Sequence, residues 1–218
     1  MVHHAFLVVA GVIAYVAART HAYIVLWPAA VLVAAWIVYL ASAPGAFMKR
    51  PDGTFPWYAW LIWWPIFIQQ WIGHELVRAF TKEPVASEVA PGVWVGRRPR
   101  ANELPRDIKL VIDLCAEMPA ASGVNDRRAY LTIPTLDARA PTPAQIAAAV
   151  DQVVATEGPA LIHCAFGHGR SATVAAAVLV RRGQATLDDV EAKMKAIRPR
   201  IGLNSSQRTA LRSAIALR

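Results

Sequence analysis

Tyr23 to Ala43 is a run of twenty-one residues without a charged side chain, and no other feature of the sequence limits the possible folds as strongly. At about 1.5 Å per residue, such a run wound as a helix crosses a hydrocarbon core of about 30 Å. Val2 to Ala18 is shorter and, apart from His3 and His4, equally apolar. Only Arg19-Thr20-His21-Ala22 separates the two runs, so a transmembrane helical hairpin is expected. A cleaved signal peptide fits less well, because no Lys or Arg precedes the first apolar run. A third stretch, Phe55 to Ile72, gathers Trp57, Trp60, Trp63, Trp64 and Trp71 around Pro65. Tryptophan favours the headgroup boundary over the bilayer centre, so this stretch is expected to form an interfacial or shallowly re-entrant helix, with a third span as the alternative.

Charge is distributed accordingly. Residues 1–80 hold four of the 23 basic and two of the 15 acidic side chains, leaving nineteen and thirteen for residues 81–218. The chain is therefore expected to divide into a membrane anchor over 1–80, a linker over 81–91 and a soluble domain over 92–218. Thr81 to Pro91 is polar, contains Pro84 and Pro91, and shows no helical period. Eleven residues extend at most about 36 Å, so the soluble domain stays near the headgroups. Two spans put Lys49 and Arg50 on the same side as that domain, which the positive-inside rule makes cytoplasmic. Two cysteines without a disulfide framework suit a reducing compartment. The net charge of +8 favours an anionic leaflet, and no nucleic-acid-binding motif accompanies it.

The soluble part alternates strand-like and helix-like segments. Gly92–Gly96, Leu110–Leu114, Ala129–Pro134 and Ala160–His163 read as strands, and Pro143–Thr156, Ser171–Arg182, Leu187–Ile197 and Ser205–Leu217 as helices. An α/β fold follows, a central sheet flanked by helices with its ligand site at a strand's carboxyl end.

One loop carries the chemistry. His163-Cys164-Ala165-Phe166-Gly167-His168-Gly169-Arg170-Ser171 lies between a strand and an Ala/Val-rich helix. The backbone N–H groups of Ala165 to Arg170 and a helix N-terminus then converge on one point, where an oxyanion is favoured. Gly167 and Gly169 let the backbone curl. Cys164 at the bottom of this electropositive nest is expected as a thiolate nucleophile, its pKa below the usual value of about 8.5. Arg170 can grip two phosphate oxygens, and the Ser171 hydroxyl can ease departure of the sulfur in a second, hydrolytic step. Breaking a P–O bond also needs an acid. Asp137, in a Pro-flanked loop after a strand, is the candidate, ahead of Asp113 and Asp126. His163 is expected as a buried residue that orients the loop and helps ionise Cys164, and His168 either carries charge into the loop or lies in solvent. Phe166 is expected to pack beneath the pocket. Asn204 reads as a helix cap near the loop, and Gln207 falls beside it. Cys115 reads as a packed strand residue that can lie near Cys164. No metal or organic cofactor is expected.

His-Cys, five residues, Arg, Ser resembles the signature of the cysteine-dependent protein tyrosine phosphatase superfamily. Val111-Ile112-Asp113-Leu114-Cys115-Ala116-Glu117, Ile133 to Asp137 with Ala140-Pro141-Thr142, and Ile197 to Leu203 are similar to the mitochondrial-type phosphatidylglycerophosphate phosphatase branch of the dual-specificity family, over roughly Pro91 to Leu217. The resemblance implies a membrane-anchored phosphomonoester hydrolase acting through a cysteinyl-phosphate. Its implied substrate is a phospholipid monophosphate such as phosphatidylglycerol phosphate, and Ala165 and His168 depart from the basic loop of lipid-phosphate members. A membrane-bound protein tyrosine or dual-specificity phosphatase acting on phosphoproteins, and a non-catalytic phosphate-binding pseudophosphatase, are the alternatives.

Overall fold

In the computed structural model, which describes residues 4–126 and 128–217, the apolar third of the chain begins with two packed helices, α1 (His4–Thr20) and α2 (Leu26–Leu40). Val2 and His3 of the first expected span lie outside the described residues. The helical stretch Tyr23–Leu40 is long and apolar enough to cross a membrane, and only 33% of it is buried inside the protein. Ile24, Trp27, Ile37 and Leu40 face outward. A helix that served as a protein core would bury these side chains. The first helix is apolar but shorter, at seventeen residues.

Helix α3 (Trp57–Phe80) runs eight residues past the expected end at Ile72. Its two faces differ. Ala59, Trp63, Ile66, Phe67 and His74 are buried, whereas Trp57, Leu61, Trp64, Ile68, Ile72 and Leu76 are exposed. Indole Nε1 of Trp63 donates to the Ala46 carbonyl at 2.9 Å, and Phe47, Phe55, Trp60 and Phe67 pack ring against ring beside it.

The rest of the chain folds around a five-stranded sheet of order β1-β2-β5-β3-β4, with strands β1 (Ala86–Ala90), β2 (Val93–Arg97), β3 (Leu110–Cys115), β4 (Ala129–Thr135) and β5 (Ala160–Cys164). Only the β1–β2 pair is antiparallel. Central β3 and β5 are buried along their whole length, as the continuous apolar runs of a parallel sheet require. Helices α4 (Pro143–Ala155), α5 (Arg170–Arg181), α6 (Val190–Ile197) and α7 (Ser205–Ala216) follow in chain order. Ile112, Ile162, Ile146, Val150 and Val178 join strands and helices in the main core. Strand β1 corrects the linker expected over 81–91: five of its eleven residues are sheet, so the tether is short and fixed.

Several polar contacts bind the apolar third to the rest of the chain. The Lys49 ammonium is fully buried and donates to Asp113 Oδ2 and to the Cys115 carbonyl, both at 2.7 Å. Lys49 is thus an internal ion-pair partner, not a free cation at the membrane surface. The positive-inside expectation loses one of the two charges it rested on. At the other end, Arg139 Nη2 donates to the Tyr39 carbonyl at the end of α2, at 2.9 Å. Arg78 and Glu103 are ion-paired, and Arg100 pairs with Glu75.

Candidate active site

Strand β5 ends at Cys164, and α5 begins at Arg170. The five residues between them form a tight loop. Gly167 holds φ at +78°, and a Cβ there would lie 2.4 Å from the Gly96 carbonyl carbon. Only glycine meets both conditions. Arg198, buried at 1% exposure, fastens the loop from outside: its Nε donates to the Gly167 carbonyl at 3.0 Å and its Nη2 to the Phe166 carbonyl at 3.2 Å. Because a trans peptide points its C=O and N–H in opposite directions, turning the Phe166 carbonyl toward Arg198 turns the Gly167 N–H inward. That N–H lies 3.2 Å from Cys164 Sγ.

Cys164 is 4% exposed, and burial alone would raise its pKa. The Arg170 guanidinium, the Ser171 hydroxyl at 3.4 Å and the N–H groups of Ser171 and Gly167 outweigh it, leaving the thiol below its ordinary value. Cys164, Phe166, His168, Arg170, Asp137 and Gln207 line one pocket of about 210 Å³. Asn204 lines it too, and Gln207, expected beside the loop, comes so close that its Nε2 would meet a Cβ at Gly169 within 2.9 Å.

Arg170, expected to grip two phosphate oxygens, already has most of its guanidinium engaged by the protein. It is 2% exposed, and Glu117 accepts from its Nη2 at 2.8 Å and its Nη1 at 3.1 Å, a two-pronged pair between fully buried groups. Nη1 also donates to the Thr135 carbonyl at 2.6 Å, and Nη2 lies 3.1 Å from Asp137 Oδ1. Nε alone is buried with no protein acceptor.

The loop carrying Asp137 is pinned from both sides. Ala138 has φ of +57°, a conformation that costs a non-glycine residue about 1–2 kcal/mol. Asn204 Nδ2 donates to the Ala138 carbonyl at 2.8 Å, and Gln207 Nε2 to that of Arg139 at 3.1 Å. Asn204 also caps α7, accepting from Gln207 N at 3.0 Å.

His163 is buried as expected, whereas His168 neither carries a free charge into the loop nor lies in solvent. Burial lowers the pKa of His163 to about 4, against the pull of the Asp113 carboxylate, so His163 is neutral and lends Cys164 no charge. His168 Nε2 pairs with Glu83 Oε2 at 2.7 Å. Burial lowers its pKa, and Glu83 opposes that shift. Its ring is therefore committed to Glu83, which also takes Arg198 Nη2 at 3.0 Å.

Asp113, Cys115 and His163 hold their ligand-type atoms within 4.8 Å of one another, a grouping that the sequence spacing did not suggest. The Lys49 ammonium and the Tyr130 hydroxyl, the latter at 2.6 Å, already occupy Asp113 Oδ2. Burial would raise the Asp113 pKa, and the Lys49 charge, with His163 and these hydrogen bonds, holds it well below the carboxylate range. Cys115 is buried and belongs to the same core cluster as Cys164. Both cysteines are free.

Sequence reasoning missed Glu117, Arg198, Glu83 and Lys49 as supports of this site. Glu117 entered it only as one letter of a family-like string, and nothing local marks a glutamate as the partner of an arginine fifty-three positions later.

Residues 94–215 match the family model described as dual specificity phosphatase, catalytic domain. No curated protein matches the chain. The crystal structure of PTPMT1 in complex with PI(5)P superposes with a TM-score of 0.56 at 19% identity, covering 61% of this chain and 96% of that one. Tk-PTP in the active form gives 0.54 at 26% identity, with 61% and 97% covered. Human DUSP28 gives 0.52 at 24%, with 60% and 96% covered. PTPMT1 and DUSP28, at these identities, show a shared fold.

Proposed function

We propose, from the premise that this chain belongs to the dual specificity phosphatase family and is a cysteine-dependent phosphatase, that it hydrolyses a phospholipid monophosphate at the surface of the membrane that anchors it. Helix α3 is the observation that carries this reading. Between Trp60 and Arg78 one side of α3 meets the phosphatase fold, through Met118 and Pro119, Phe166, Arg100 and Glu103. That contact extends about 27 Å along the helix axis. Away from that contact, Leu61, Trp64, Ile72 and Leu76 are exposed. A helix covered by a folded domain on one side and apolar on the other lies along a bilayer surface rather than across it. The α1–α2 hairpin supplies the span, and phosphatidylglycerol phosphate is the leading substrate.

In this mechanism the Cys164 thiolate attacks phosphorus, and the P–O bond to the leaving group breaks as Asp137 passes its proton to that oxygen. The loop N–H groups and Arg170 Nε hold the equatorial oxygens. Water, deprotonated by Asp137, then attacks the cysteinyl-phosphate. The P–S bond breaks, phosphate leaves, and the Ser171 hydroxyl hydrogen-bonds the departing thiolate. Arg170 is the fixed cation of this pocket, since neither Ala165 nor the Glu83-bound His168 adds one.

The full chain in mixed micelles, presented with phosphatidylglycerol phosphate, a phosphoinositide and a phosphotyrosine peptide, is expected to release phosphate from a lipid with kcat/KM at least about tenfold above the peptide's, each 1.4 kcal/mol of preference being a factor of ten. A preference for the peptide would overturn the lipid reading and leave a membrane-bound protein phosphatase. Asp137→Asn is expected to lower kcat about 10²-fold on a lipid alkoxide leaving group. On p-nitrophenyl phosphate, whose leaving group departs unprotonated, it should cost far less. Equal losses on both would remove Asp137 from the acid role.

A further inference from the structure

A second hollow lies beside the catalytic pocket, between α3 and the chain following β3. Its volume is about 310 Å³, within the range of small-molecule sites. Trp60, Phe67, Ile68 and Trp71 form one wall, and Met118 and Pro119 the other. Burial orients it. Trp60, Ile68 and Trp71 are 43%, 46% and 57% exposed, while Glu117 at the far side is 1% exposed. The mouth therefore opens on the same outward face of α3 that is assigned to the bilayer, and the floor is the carboxylate that holds Arg170. The two hollows share this Glu117–Arg170 pair as a wall.

We infer that this cleft takes up an acyl chain of the phosphorylated lipid while its headgroup reaches Cys164. The inference rests on the lipid-phosphatase reading and deepens it. Three observations point to an acyl chain. The walls are apolar and aromatic along most of the cleft. Its mouth is continuous with the bilayer-facing row through Ile68. Its cation is Arg98, whose Nε donates to the Pro119 carbonyl at 2.6 Å, while the charge of Glu117 is already answered by Arg170. An occupant apolar over most of its length with an anionic group near one end matches all three.

Helix α3 also reaches the wall of the catalytic pocket. From Trp60 to His74 the axis of α3 advances about 21 Å, and His74 stacks on Phe166, with ring centroids 6.4 Å apart. Phe166 in turn lines the catalytic pocket. A lipid whose chain lies in the cleft thus has its headgroup on the side of α3 that leads toward the catalytic pocket. A chain that leaves the bilayer for such a cleft exchanges one apolar surrounding for another, so little hydrophobic free energy is at stake. The contribution is orientation: a held chain fixes the glycerol, and with it the approach of phosphorus to sulfur.

Ile68→Trp fills the cleft from its mouth with a side chain suited to a membrane boundary. Ile72→Trp makes the same change on the same exposed face, outside the cleft. Both variants of the full chain are assayed in mixed micelles on dioleoyl phosphatidylglycerol phosphate, its dihexanoyl form and p-nitrophenyl phosphate. Ile68→Trp is expected to lower the ratio of dioleoyl to p-nitrophenyl kcat/KM about tenfold, a change of about 1.4 kcal/mol, with a smaller loss for the dihexanoyl lipid. Ile72→Trp should leave that ratio at the wild-type value. An unchanged ratio in Ile68→Trp, or equal losses on all three substrates, overturns the chain site. As a check independent of folding in the variants, wild type irradiated with a lipid phosphate carrying a diazirine in its chain should be labelled between Trp60 and Trp71 or at Met118. Labelling confined to α1 and α2 also overturns it. Wild type that cleaves p-nitrophenyl phosphate but no lipid removes the underlying lipid reading instead, so the two failures are distinguishable.

Discussion

Cys164→Ser is expected to lower kcat/KM by about 10⁴-fold or more on every phosphomonoester the enzyme accepts, because a serine hydroxyl in this loop lacks the ionisation that makes the sulfur a nucleophile. Acid-quenched wild type incubated with a ³²P-labelled substrate should retain label on Cys164, and the variant should not. The pH profile supplies the matching test. Arg170, Ser171 and the loop amides hold the Cys164 thiol below its ordinary value, against its burial. The thiolate is the reactive form, so on p-nitrophenyl phosphate, whose leaving group needs no proton from Asp137, kcat/KM should climb as pH rises through that lowered value and be level by the ordinary thiol range. Ser171→Ala removes one of the stabilising hydrogen bonds and should move the acid limb upward. Activity in Cys164→Ser comparable with wild type would sink the covalent mechanism.

Glu117→Ala is expected to be the most damaging substitution for stability. Its carboxylate answers a guanidinium that is almost wholly withdrawn from water, and breaking such a pair from one side costs about 3–5 kcal/mol, since the remaining charge stays buried. For a chain of this length that corresponds to a fall in the unfolding midpoint on the order of 10 °C, measurable by thermal unfolding in detergent. Glu117→Gln retains the shape and part of the hydrogen bonding and should fall between. Catalysis should suffer as well, because Glu117 is what keeps Nη1 and Nη2 of Arg170 engaged while Nε remains open. A midpoint within a degree or two of wild type for Glu117→Ala would show that Arg170 finds another counter-ion.

The elements of the phosphatase fold were largely legible, and the reasons are local. Buried parallel strands such as Leu110–Cys115 and Ala160–Cys164 are short apolar runs, and Thr142 with Gln145, or Asn204 with Gln207, writes a capping box at the head of a helix. Strand β1 escaped because Ala86-Ser87-Glu88-Val89-Ala90 is small, polar and bracketed by Pro84 and Pro91. It is an edge strand held by β2, and no property of its own marks it. The end of α3 was misread because Gly73, His74 and Glu75 resemble a terminus. In the fold, His74 is buried at 1% exposure and Glu75 pairs with Arg100. Cys164, Arg170 and Ser171 are close in sequence, so their grouping could be read. Glu117, Glu83 and Arg198 reach the loop from distant segments, and only the topology of the sheet brings them there.

The buried Lys49 ammonium means that residues 81–218 cannot be cut away from the first eighty without cost to the sheet. A shortened chain starting after Phe80 would retain Asp113 in its dry pocket with the hydrogen bonds of Tyr130 and the Cys115 N–H, but without the Lys49 charge that answers it. Completion of the sheet beside the nucleophile is therefore coupled to docking of the segment that carries Lys49.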